Sequence, residues 1–82
     1  MPTRSDLSNA QAALETALKE AQAFESEAIR AAEMAELVGD SASKETFERA
    51  RDRALVAMEN WRKSAEFAQK IIFDISSRYL EK

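Results

Sequence analysis

Six carboxylates, Glu15, Glu20, Glu25, Glu27, Glu33 and Glu36, crowd the first half of the sequence, and three guanidinium groups, Arg49, Arg51 and Arg53, crowd the start of the second. Carboxylates on facing helices can hold a pair of metal ions. Such centres ordinarily draw on Glu-x-x-His pairs, and this chain has no His. It has no Cys either, which excludes disulfides, thiolate nucleophiles and zinc sites built on those ligands. A nucleophilic triad would lack both Cys and His, and no Gly-rich phosphate loop is present. The six Glu therefore read as a solvated acidic face. The sequence predicts no enzyme, no cofactor, no metal and no evident small-molecule ligand.

The Arg cluster could meet phosphates or an acidic partner, with Arg62 and Lys63 extending it. Glu48, Asp52 and Glu59 interrupt it, and a net charge of −3 argues against a nucleic-acid binder of the basic kind. Arg49, Arg51 and Arg53 stand as candidate contacts for an anionic partner.

The elements that position these groups are helices. One Gly and one Pro in 82 residues, with abundant Ala, Glu, Lys, Arg and Leu, favour long helices. The one strong interruption is Leu37-Val38-Gly39-Asp40-Ser41-Ala42-Ser43, where Gly39 could adopt the left-handed cap conformation and Asp40 or a Ser could cap the next helix. The expected architecture is an all-α domain spanning residues 1–82. It is a long antiparallel two-helix hairpin, with helix 1 over about 7–38, a loop at 39–43 and helix 2 over about 44–80, that self-associates into a helical bundle or larger assembly. Ser5, Asp6 and Ser8 are candidate caps for helix 1.

Heptad counting supports the pairing. The positions Leu7, Leu14, Ala21, Ala28 and Ala35, with Ala10, Ala17, Phe24, Ala31 and Val38, form an unbroken apolar seam on helix 1. Helix 2 answers with Phe47, Ala50, Ala54, Met58, Trp61, Ala65, Ala68, Ile72, Ile75 and Tyr79. Trp61 reads as packing on this seam. Helix 1 is acidic and helix 2 mildly basic, which helps register and partner choice more than stability.

Apolar residues remain after the seam is filled: Val56, Phe67 and Ile71 on one flank of helix 2, and Leu55, Phe73 and Leu80 on the other. Helix 1 leaves Leu18, Ile29, Met34 and Leu37. Large side chains left in water forgo several kcal/mol, on the order of a small domain's whole stability, so this surplus predicts a partner. The expected partner is a second copy of the chain, another protein, or both. The expected function is a non-enzymatic assembly protein that oligomerises through helix 2. The alternative is a small adaptor, chaperone, antitoxin or phage-encoded inhibitor using the same patch. No apolar run approaches the roughly 18 residues of a membrane span, and the first residues lack a signal-peptide core. The sequence thus predicts a cytoplasmic chain, or one exported without a cleavable signal.

Trp61-Arg62, Lys70 and Asp74-Ile75 stand at the spacing of an aromatic-Arg pair, a Lys and an Asp-Ile, and Gly39–Lys44 falls at a central loop. In these features the chain resembles the type III secretion needle proteins, and is similar to the small hairpin chaperones of the same systems. The needle resemblance implies a helical hairpin whose carboxy-terminal helix packs into a helical filament. Asp40-Ser41-Ala42-Ser43 stands where that family's loop commonly carries prolines, and Tyr79-Leu80-Glu81-Lys82 differs from its apolar end.

Overall fold

The computed structural model of the chain describes residues 4–80, with the side chains of those up to 78. Two helices account for nearly all of them: α1, Arg4–Leu37, and α2, Ser41–Leu80. They pack side by side as a hairpin, a rod 64 × 13 × 13 Å in extent. Its radius of gyration is 18.4 Å, against about 12 Å for a compact chain of this length.

Uninterrupted runs of good helix formers explain the length of each helix, and the turn explains where they stop. Only Val38, Gly39 and Asp40 lie between them, so the loop is shorter than expected and α2 starts earlier, at Ser41. The Val38 amide closes the last turn of α1 on the Met34 carbonyl at 3.2 Å, and the Lys44 amide opens α2 on the Asp40 carbonyl at 3.1 Å. Asp40 is the cap. Its Oδ1 accepts from the Ser43 amide and its Oδ2 from the Ser43 hydroxyl, each at 3.0 Å. These bonds, the hydroxyl's first and the amide's second, hold the Asp40 carboxyl below its ordinary pKa.

Two local expectations are corrected. Gly39 does not occupy the left-handed region, so no positive φ requires glycine there. Because α1 already includes Arg4, the residues Ser5, Asp6 and Ser8 lie within its first turns rather than at the residue before it. Asp6 there complements the positive end of the helix dipole.

The core is made almost entirely of alanine. Ala10, Ala17, Ala21, Ala28, Ala31 and Ala35 of α1 meet Ala54, Ala65, Ala68 and Ile75 of α2, all buried. The larger seam residues Leu7, Leu14, Phe24, Val38, Phe47, Met58, Trp61 and Ile72 are only half-buried. Methyl groups let the two backbones approach closely, and close backbones leave no room between them for a large side chain, which is displaced to the edge of the seam. Ala50, expected on the seam, is exposed. Tyr79, assigned to the seam, and Leu80, assigned to a flank, are expectations on side chains outside the described ones.

Candidate functional site: an apolar groove along the hairpin

The flank residues with described side chains are on the surface: Leu55, Val56, Phe67, Ile71 and Phe73, of which Phe67 is 67% and Phe73 75% exposed. Helix geometry and packing divide them into two faces.

On one face, Phe67 and Ile71 overhang an open groove of about 620 Å³ between the helices. Its floor and far wall are the small side chains Ala10, Ala13, Thr16 and Ala17 of α1 with Ala68 of α2; Trp61 closes one end, and Lys63 and Ser64 form the rim. The alanine seam builds this groove, because a wall of methyls beside a half-buried indole and two large overhanging side chains leaves volume unfilled. A second, smaller groove of about 210 Å³ is lined by Glu27, Arg30, Ala31 and Met34 of α1 and by Phe47 and Ala50 of α2. Thr16 and Met34 are eighteen residues apart, as are Ala50 and Ala68, about five turns in each case. The two grooves therefore open on the same side of the rod, one toward each end. Val56, eleven residues or about three turns before Phe67, belongs to this side as well.

The opposite face carries Leu18 and Ile29 of α1 with Leu55 and Phe73 of α2, and beside Phe73 an open hollow of about 570 Å³ lined by α2 alone, through Glu66, Gln69, Lys70 and Asp74. Arg62 and Glu25 form an ion pair on this face, at 3.6 Å. Arg62 lies seven residues from Leu55 and Glu25 seven from Leu18, about two turns, so the pair sits within the apolar stripe and divides it.

The Arg cluster does not converge. Arg49 pairs with Glu45 at 2.6 Å, and Arg51 pairs with Asp52 through Nε at 3.1 Å and Nη2 at 3.0 Å. Successive odd positions on a helix point about 200° apart, so Arg51 is turned away from Arg49 and Arg53. The carboxylates of α1 are exposed apart from half-buried Glu20, and among the described residues no three acidic side chains gather as a metal site would need. Among the described residues, no helix is long and apolar enough to cross a membrane.

The sequence assigned Trp61 to packing, and did not single out Ala13 or Thr16. The structure puts all three at the main groove. A signal was present in the small residue Ala13, spaced by three and four from the seam residues Ala10 and Ala17 and lying on their flank. Comparison of the chain with protein-family models, curated proteins and solved structures finds no match.

Proposed function

We infer that the chain is a non-enzymatic assembly protein, a helical hairpin that self-associates through α2. The observation that carries this reading is the inverted distribution of its apolar residues. Among the described residues, nine alanines and one isoleucine are buried and no large side chain is fully so, while Phe67, Phe73, Val56, Ile29 and Leu18 are more than half exposed. Burying a methyl yields about 0.8 kcal/mol and burying a whole Phe, Leu or Ile about 1.5–3 kcal/mol, so a large part of the chain's apolar driving force is unspent in the isolated hairpin. Ordering two long helices costs about 1–2 kcal/mol per residue in backbone entropy, which makes the unspent part decisive. Burial in an assembly is the direct way to recover it.

The particular form suggested by the resemblance of Trp61-Arg62, Lys70 and Asp74-Ile75 is a secretion-needle-type subunit. It is supported by those residues and by a hairpin turn at Val38–Asp40, and it would make the assembly an open filament, whereas self-association as such is met equally by a closed bundle. The test of self-association is sedimentation or light scattering over a concentration series. A mass that rises above one chain supports the reading, whereas a stably folded monomer at millimolar concentration overturns it. A monomer that instead comes down from a lysate with one stoichiometric foreign protein would make the chain an adaptor, chaperone or inhibitor.

A further inference from the structure

Resting on that reading, we propose that the partner surface is the grooved face, and that it takes a second copy of the chain related by a two-fold axis parallel to the rod, with both loops at the same end. Three observations carry this. The first is area. The rod exposes 6288 Å², about 1,350 Å² more than the roughly 4,900 Å² expected of a compact monomer of 9.2 kDa. Removing that excess from each of two copies buries about 2,700 Å², within the range of obligate homodimers.

The second is charge. α1 holds seven acidic and three basic residues, a net of −4, and α2 eight basic and six acidic, a net of +2. When two hairpins stack face to face about an axis parallel to the rod, α1 of each copy lies over α2 of the other. Every neighbouring pair of helices is then antiparallel and opposite in charge. Stacking them end-reversed lays α1 on α1 and α2 on α2, like on like, which costs affinity.

The third is shape. The axial arrangement brings residues at equal height on α1 and α2 together across the interface. Phe67 and Ile71, which overhang the large groove, then meet the Ala13 and Thr16 wall of the other copy, and at the far end Met34 meets Ala50. Large side chains fall on small ones at both ends, and by symmetry each contact is made twice, as a self-complementary interface requires. The opposite face offers no such match: its hollow beside Phe73 is lined by α2 alone, mostly by Glu66, Gln69, Lys70 and Asp74, and the Glu25–Arg62 pair divides its apolar stripe. The result is a closed four-helix bundle.

Ser41 lies at the start of α2 beside the loop, and the chain has no native Cys, so a spin label on Ser41→Cys reports the arrangement directly. The proposal expects a dimer whose two labels lie within about 30 Å, as for loops on adjacent helix pairs spaced by 8–10 Å. It also expects Phe67→Glu to raise the dissociation constant by about 30-fold or more while circular dichroism remains helical, and Phe73→Glu to leave the dimer intact. Label separations near the 64 Å length of the rod would overturn the axial arrangement and leave self-association standing. So would growth into filaments, or a dimer broken by Phe73→Glu and spared by Phe67→Glu. A strictly monomeric native chain would overturn both this proposal and the reading beneath it.

Discussion

The guanidinium of Arg62 lies 3.6 Å from the carboxylate of Glu25, and among the described residues this is the one ion pair that joins the two helices. The other ion pairs, Glu15–Lys19, Glu45–Arg49, Arg51–Asp52 and Asp74–Arg78, link neighbours on the same helix. The charge difference between the arms is therefore expressed within the hairpin by a single half-exposed contact. Such a pair stabilises by about 0–1 kcal/mol, so Arg62→Ala should lower unfolding free energy by less than about 1 kcal/mol. A double-mutant cycle with Glu25→Ala in urea measures it, and a coupling well above that value would show that the pair is shielded from water.

Asp40 couples the turn to pH. Its folded pKa is below the ordinary carboxylate value of 3.8, because the Ser43 hydroxyl and then the Ser43 amide donate to the ionised form. The cap's contribution is thus fully present above 3.8 and disappears as pH falls through the folded value. Asp40→Ala should lower Tm by a few degrees at neutral pH and flatten the acid dependence of stability. Asp40→Asn, an equally good cap, should keep most of the neutral-pH Tm and lose the same acid dependence. Thermal melts at pH 7 and pH 3 distinguish the three chains.

Gly39 should be replaceable. Its φ is not positive and a Cβ placed on it would meet nothing within 4 Å. Gly39→Ala therefore removes unfolded-chain entropy without strain, and should raise stability by about 0.4–1 kcal/mol. A fall in the urea midpoint instead of a rise would place a strained or left-handed backbone at the turn.

The seam should resist enlargement. Ala17 is only 1% exposed in the seam between the helices, so Ala17→Leu forces them apart or strains the new side chain. A loss of about 1–3 kcal/mol is expected in denaturant unfolding. Phe67→Ala, at an exposed position, should leave helicity at high dilution unchanged. Equal tolerance of Ala17→Leu would mean that the helices are held apart by the larger residues at the seam edge.

Much of the architecture was legible in the order of residues. The run of apolar positions from Leu7 to Val38 at steps of three and four can be satisfied only by a helix with one buried stripe, and Gly39 with Asp40 marks its end. What periodicity could not tell was which members of the stripe are buried. Phe24, Met58 and Trp61 occupy seam positions as regular as those of Ala21 and Ala65, yet they are half-buried. Depth depends on how closely two helices approach, which is a property of the pair and not of either helix. The loop was overestimated for a more local reason: of the candidate caps Asp40 is the one used, through two hydrogen bonds that depend on its own backbone conformation.

The sequence by itself determined two long helices, an antiparallel turn, an acidic and a basic arm, and a surplus of apolar side chains. Each follows from composition or period along one dimension. Only the tertiary structure decided that the surplus divides into a face with grooves between the two helices and an ion-paired face, and that Trp61 and Thr16 border the same groove. Those are relations between residues far apart in the chain, 37 positions for Glu25 and Arg62 and 45 for Thr16 and Trp61, set by the register in which two alanine seams dock, and register is an outcome of packing.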